Sequence, residues 1–227
     1  MAYKVLNNVS VKDVTSSDLL SLKTDLLVIV INKNTKDKVV NQLAKDVSSH
    51  LKESGSSVLV PNAKSFNAKN VLLVKGFQDS DQIHKLISMY QSIAQKGNQL
   101  KAKDISIMPG TVYPKGKCEM WLIEMVAKTI ESNVYIFSET CNKTAKKPSV
   151  KKLNILVSSL TKSDLIKAKN AAKKGYAIGE GVNSAKYLGD LPANHCTPRI
   201  IEKKVKAMTK DFPKLKVKSF NENQMKK

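Results

Sequence analysis

Arginine is almost missing from this chain: Arg199 is the only one among 39 Lys and Arg residues. Reading base edges and clamping phosphates favour the planar guanidinium fork over the point charge of a lysine. A basic protein this poor in arginine is therefore a poor reader of nucleotide sequence. Cysteine is also scarce, with three residues at 118, 141 and 196. An odd number at irregular spacing supports neither a disulfide framework nor a zinc cluster, so the cytosol is the expected compartment. Long apolar runs are absent. The longest aliphatic stretch, LLVIVI at 26–31, falls far short of the roughly 20 residues a membrane span needs. The start, MAYKVLNNVSVKD, has no apolar stretch after its first basic residue and does not read as a secretory signal. No membrane partner is expected. Glycine-rich phosphate loops are missing as well, since none follows a predicted strand.

What remains is an ordinary globular composition with an uneven charge. The 227 residues are 41% hydrophobic and 26% charged, enough to bury a sizeable core. The net charge is +20. Residues 151–227 hold 18 Lys/Arg against 6 Asp/Glu, leaving 21 against 13 for the first 150. The last third is thus far more basic per residue. Such a field attracts polyanions without specifying them, and a solvated lysine surface is the simpler reading.

Apolar periodicity alternates between strand and helix through residue 138. LLVIVI, VLV at 58–60, VLLV at 71–74, ISIM at 105–108 and VYIF at 134–137 read as short buried or half-buried strands. Between them lie helical runs. In 36–51, Val39, Leu43, Val47 and Leu51 recur at spacing four. In 83–94, Ile83, Leu86, Met89, Tyr90 and Ile93 share a face, and in 120–130 Trp121, Ile123, Met125, Val126 and Ile130 do so. This order predicts a three-layer α/β fold around a mixed, mostly parallel sheet.

Residues 140–149 read as a polar loop, and KLNILVSS at 152–159 as one more strand. Thr161 and Asp164 then stand at capping-box spacing before a long helix to about residue 188. Its predicted packing face is Leu165, Ala168, Ala172, Tyr176, Gly179, Val182 and Leu188. Gly175, Gly179 and Gly181 weaken the helix, so close approach of another backbone is their expected use. Thr197 and Pro198 start a second helix with the stripe Ile201, Val205, Met208 and Phe212. Pro213 ends it, LKVKSF at 215–220 alternates as a strand, and Asn221 can begin another helix.

No constellation of catalytic type emerges. His195 and Cys196 are adjacent, and neighbours in sequence rarely aim their side chains at each other. His50 and His84 lack ligand partners one turn away, Trp121 sits on an apolar helix face, and the carboxylates do not cluster as a two-metal site requires. No catalytic, metal-binding or cofactor-binding residue is assigned.

The block AIGEGVNSAKYLGDLPANHCTPRIIEKKVKAM, followed by FPKLKVKSFNENQMKK, resembles the join between the two domains of the leucine (cytosol) aminopeptidase family. That family's pattern is A-K-x-L-x-N-x-P-P-N, a Thr-Pro helix start, a short strand, and a helix beginning near E-x-x-M-K. Ala185, Lys186, Leu188, Leu191, Pro192, Asn194, Thr197, Pro198, Met225 and Lys226 match. Asp190 stands in place of the Asn and Ala193 in place of the second Pro, so the turn is a variant. The resemblance implies a macrodomain-like N-terminal domain over 1–150, then a linker helix and the start of a catalytic domain over 151–227. It implies that the metal-binding carboxylates, catalytic lysine and N-T-D-A-E-G-R-L-type motif lie beyond Lys227. The full-length enzyme implied is a cytoplasmic homohexamer using two manganese or zinc ions to release N-terminal residues from peptides. The part present would serve assembly and active-site access and be inactive alone. Two alternatives stand beside it: a sequence-blind DNA-binding protein, and ADP-ribose binding, which lacks the expected glycine loop.

The DNA alternative has a direct test. If the lysines of 151–227 bind DNA, two unrelated duplexes will shift alike in a gel, and affinity will fall steeply between about 50 and 200 mM salt.

Overall fold

The computed structural model describes residues 5–32, 53, 55–77, 83–110, 113–140, 147–158 and 160–226. The helix expected at 36–51, with His50, and Cys141 lie outside them. Six strands form one sheet: β1 (Asn8–Asp13), β2 (Thr24–Ile31), β3 (Ser57–Pro61), β4 (Ala68–Lys75), β5 (Asp104–Met108) and β6 (Lys152–Val157). The order is β1-β6-β5-β2-β4-β3. Every pairing is parallel except β3 with β4. The mixed, mostly parallel sheet flanked by helices is the architecture that the alternating pattern predicts.

Burial explains why the strands read as they do. Leu26, Leu27, Val28 and Ile29 of β2 are fully buried because both faces of this central strand are covered. On one face, Leu26, Val28, Leu72, Ile105, Ile107, Leu153 and Ile155 pack with α2 (Ile83–Gln99), α3 (Glu119–Val134) and α4 (Lys162–Asp190). On the other, Leu27, Ile29, Val71, Leu73 and Leu156 meet Leu19 of α1 (Ser16–Ser21) and the turn at Ala63 and Phe66. Each such aliphatic side chain taken out of water contributes roughly 1.5–3 kcal/mol. The edge strand β3 is only half-buried and ends at Pro61, which blunts it against further pairing.

Two elements had signals that the periodicity reading passed over. Val9 and Val11 alternate in β1, and Thr15 and Asp18 form a full capping box at the start of α1. The position of β6 bears on domain organisation. It pairs with both β1 and β5, so residues on both sides of 150 share one sheet.

Three expectations need correction. Residues 134–137 form no strand: α3 continues through Val134, and 135–138 have no regular structure. Val134 is used by the helix, and Tyr135 and Phe137 turn toward the end of α4, where Tyr135 Oη donates to Asp190 at 2.9 Å and Phe137 meets Tyr187. Residues 215–220 form no strand either, because no sheet edge lies beside them among the described residues. Finally, the buried face of α4 is Ala168, Ala172, Gly175, Gly179 and Asn183, while Val182 points to solvent.

That face is a seam of small residues against α3. A Cβ on Gly175 would run into the Glu124 carbonyl oxygen, and one on Gly179 would come within 2.7 Å of Glu131 Cβ. Gly181 is different, since a Cβ there would meet nothing within 4 Å. The close-approach reading thus holds for two of the three glycines.

Beside the seam, Glu131 is completely buried. It accepts from the backbone N–H groups of Val5 and Leu6, each at 3.0 Å, and from the Asn183 side-chain amide at 3.0 Å. The same amide also reaches the Glu131 carbonyl at 3.0 Å, and Tyr176 Oη donates to Leu6 O at 2.8 Å. Burial lifts the Glu131 carboxyl above its usual range; the Val5, Leu6 and Asn183 donors pull it back and nearby Glu180 adds to the rise.

Two outcomes follow for stability. Gly175→Ala should destabilise by roughly 1–3 kcal/mol through overpacking, whereas Gly181→Ala should stabilise by up to about 1 kcal/mol; urea unfolding of both variants measures the contrast. For Glu131 the folded value lies above the ordinary 4.5, so folding favours the protonated form. Its contribution is full below 4.5 and declines as pH rises through the folded value. Relative to Glu131→Gln, the natural protein should therefore lose stability as pH rises above 4.5, and denaturant midpoints across a pH series test the sign.

Candidate interdomain surface

α4 begins at Thr161, whose Oγ1 accepts from Asp164 N at 3.1 Å. The hydroxyl also donates to the Asp164 carboxylate at 2.8 Å, so Thr161 caps this 29-residue helix through its side chain, while the reciprocal half of the expected box is not formed. Its far end is held to the end of α3. Asn183 bonds Glu131, Lys186 Nζ donates to Ser132 O at 2.6 Å, and Asp190 accepts from Tyr135. Lys186 thereby supplies a cation to carbonyls at a helix C-terminus, where the dipole favours one. The sheet side of α4 is firmly fixed; its outer side carries exposed Ile166, Ile178 and Val182.

At Leu191, which is buried, the backbone leaves the helix. Pro192 O accepts from both His195 N at 2.8 Å and Cys196 N at 3.0 Å, making a tight turn. His195 is exposed and Cys196 half-buried. Their role here is to reverse the chain. Thr197 then occupies the N-cap position of α5 (Pro198–Asp211) without a side-chain capping bond, and Pro198 fills the first helical position.

α5 buries none of its residues. Its stripe of Ile201, Val205, Met208 and Phe212 is present at helical spacing, with Ile201 and Phe212 exposed. A 14-residue helix is marginal in water without tertiary packing. The contact that ties it back is aromatic: Lys204 Nζ lies 4.4 Å from the Tyr187 ring centroid, and Tyr187 meets Phe137 at 6.2 Å. After α5 the chain turns at 213–214 and has no regular structure through Phe220. It closes with α6 (Glu222–Met225), where Asn221 and Gln224 form a reciprocal capping box. Among the described residues there are ten large hydrophobics exposed to water, and eight of them lie at or after Ile166. Among the described residues, the exposed large hydrophobics are therefore concentrated on α4, α5 and the tail.

The remaining sequence candidates are dispersed. His84 is exposed in the first turn of α2. Trp121 packs partly against the core beneath Lys117, and Cys118 is exposed at the start of α3. Arg199 is exposed in the first turn of α5. Among the described residues, no three His, Cys, Asp or Glu side chains converge where a metal ion could sit. Asp25 pairs with Lys69 at 2.6 Å and accepts from Lys103 N at 2.8 Å. Lys69 pulls Asp25 below the usual carboxylate range, while Asp104 accepts from Thr24 Oγ1. These carboxylates are engaged within the fold, and the described residues do not fit a two-metal centre. No helix among them is long and apolar enough to cross a membrane.

What the sequence reading missed is Glu131 with Asn183. The signal was a glutamate continuing the inward face of an otherwise apolar helix, just before its buried end at Val134.

No family model matches the chain. A probable cytosol aminopeptidase of Azotobacter vinelandii is 28% identical over 227 residues, covering 94% of this chain and 45% of the relative. The cytosol aminopeptidase of Pseudomonas aeruginosa is 26% identical, covering 90% and 43%. A probable cytosol aminopeptidase of Alkalilimnicola ehrlichii is 30% identical, covering 76% and 35%. Among solved structures, a tomato leucine aminopeptidase mutant superposes on 100% of this chain and 46% of its own, with TM-score 0.74 and 19% identity. The bottromycin maturation enzyme BotP in complex with Mn covers 83% of this chain and 36% of its own, with TM-score 0.60 and 15% identity. The chain spans less than half the length of the curated relatives it matches. Over nearly all of its residues, this chain is related to the leucine (cytosol) aminopeptidase family.

Proposed function

We propose that the chain is the non-catalytic N-terminal part of a cytoplasmic cytosol aminopeptidase, serving assembly and access to the active site. The observation that carries this is the combination of match and surface. The matched region is the N-terminal 45% or so of the relatives, and the apolar residues exposed here gather on the elements that end it. The sheet, α1–α3 and the core-facing part of α4 form the folded unit. The outer face of α4, the 192–196 turn, α5 and the tail form the connection to a catalytic part.

The whole enzyme in this reading is a homohexamer that removes N-terminal residues from peptides. The manganese of the bottromycin maturation enzyme supports a metal-dependent parent, with manganese or zinc as the ions. Those ions would be held outside the residues described here, so no step of peptide hydrolysis is derived through their side chains. The DNA-binding alternative gains nothing from the relatives or the structural neighbours.

The purified 227-residue chain should release no amino acid from aminoacyl amides, with or without added Mn²⁺ or Zn²⁺. Metal-dependent turnover by this chain alone, followed by an assay for free amine, would overturn the reading.

A further inference from the structure

We infer that the segments leading into β5 and β6 form a binding patch for extended acidic peptides, built on Lys101, Lys103, Lys151 and Lys152. The inference goes beyond the function proposed above and does not depend on it. Backbone hydrogen bonds hold the two segments together: Lys151 N and Lys152 N both donate to Lys103 O, at 2.8 and 3.3 Å. β5 and β6 begin side by side there, with Asp104 in register with Lys152. Lys101, Lys103 and Lys152 are exposed, and Lys151 is half-buried. Among the described residues, none of the four is in a salt bridge. The nearby carboxylates are already engaged, Asp25 with Lys69 at 2.6 Å and with Lys103 N at 2.8 Å, and Asp104 with Thr24 Oγ1. The positive charge of the patch is open to a partner.

A merely solvated lysine surface does not account for Lys101. α2 closes there in a Schellman turn, with Ala102 N donating to Gly97 O at 3.0 Å and Lys101 N to Asn98 O at 3.1 Å. The closing position is left-handed, with φ +53° at Lys101. Glycine takes that conformation without the strain that a Cβ brings. The dipole of α2 favours a cation near its end, but Lys96 already supplies one in the last turn. A second cation at a strained position, beside Lys103, points to use of its charge.

Spacing and surroundings select the partner. An extended peptide presents every second side chain on one side, about 7 Å apart, and neighbouring strands lie about 4.8 Å apart. Lys101 and Lys103 flank buried Ala102, with Lys152 on the adjoining strand. Carboxylates at alternate positions of a peptide therefore match this set. Nucleic acid fits less well. The patch has no arginine, and the exposed aromatics Tyr113, Phe212 and Phe220 belong to other segments, whereas single strands are held by stacking. No exposed large hydrophobic lies in 100–104 or 150–153 to anchor in a lipid surface. A second copy brings the same net charge of +20, which opposes association.

The test is fluorescence anisotropy of a labelled peptide of alternating glutamate and serine, titrated with the purified chain. Binding should be measurable at about 20 mM salt and weaken several-fold by about 150 mM. Lys101→Gly, Lys103→Gln and Lys152→Gln together should weaken it at least about fivefold. Lys162→Gln, Lys169→Gln and Lys173→Gln together remove the same charge from exposed positions of α4 and should change it less than about twofold. Lys101→Gly alone should unfold at the same or a higher urea concentration and still weaken binding, a pairing that a structural role would not give. Equal losses in the two triple variants would show that only net charge matters and would overturn the patch. So would absence of binding at low salt, or a Lys101→Gly variant that binds as the natural protein does. Duplex DNA or anionic vesicles that depend on the same three lysines, while the peptide does not, would assign the patch to another polyanion and overturn the inference as well.

Discussion

A single carboxylate, Glu131, joins three parts of the chain that are far apart in sequence. It receives the Val5 and Leu6 amides of the N-terminal segment and the Asn183 amide of α4, while itself belonging to α3. Without it, two buried backbone N–H groups would lose their acceptor, at a cost of roughly 1–3 kcal/mol each. Burial raises the carboxyl above its usual range, so the ionised form is itself disfavoured. An apolar residue of similar size could fill the volume but could not accept from Val5 and Leu6. Specific placement of the N-terminal segment and α4 is what the group contributes.

The α3–α4 seam depends on that placement. Gly175 and Gly179 let the two helices approach until backbone and Cβ atoms nearly touch, and Ala168 and Ala172 extend the same face toward the sheet. Close packing of small residues gives many dispersion contacts per residue and tolerates no added methyl. Lys186 on the Ser132 carbonyl and Tyr135 on Asp190 then fix the far end. The result is a rigid 29-residue helix that presents the turn and α5 at a set position relative to the sheet.

From α4 onward the physical character of the chain changes. Among the described residues, the large aliphatic side chains before Ile166 are mostly buried or half-buried; from Ile166 onward they are repeatedly in water. Among the described residues, α5 keeps an amphipathic pattern with none of its residues fully buried, and the tail keeps a strand pattern with no strand beside it. Both patterns are intelligible if the contacts that complete them lie on another part of a longer protein. The relatives, which this chain spans by less than half, fit that account.

Local pattern was enough to predict β2–β6, α2, α3, the Thr161 cap and the Pro198 helix start. Each depends on spacing within one segment: period two or continuous aliphatic for buried strands, 3.6 for helices, and side-chain oxygens at fixed offsets for caps. It failed at 134–137 and 215–220, where β-favouring residues pair with no strand among the described residues, because strand formation needs a partner that the segment does not encode. It also could not show that Glu131 meets Val5 and Leu6, a pairing across more than 120 positions. The sequence by itself determined the type of β2–β6, α2, α3 and the long helix α4, and the relation carried by residues 185–198. Tertiary structure alone decided the strand order, the use of Gly175 and Gly179 but not Gly181, and the exposure of α5. Those depend on which surfaces meet, and hydrophobic burial and hydrogen-bond satisfaction are settled only between segments distant in the chain.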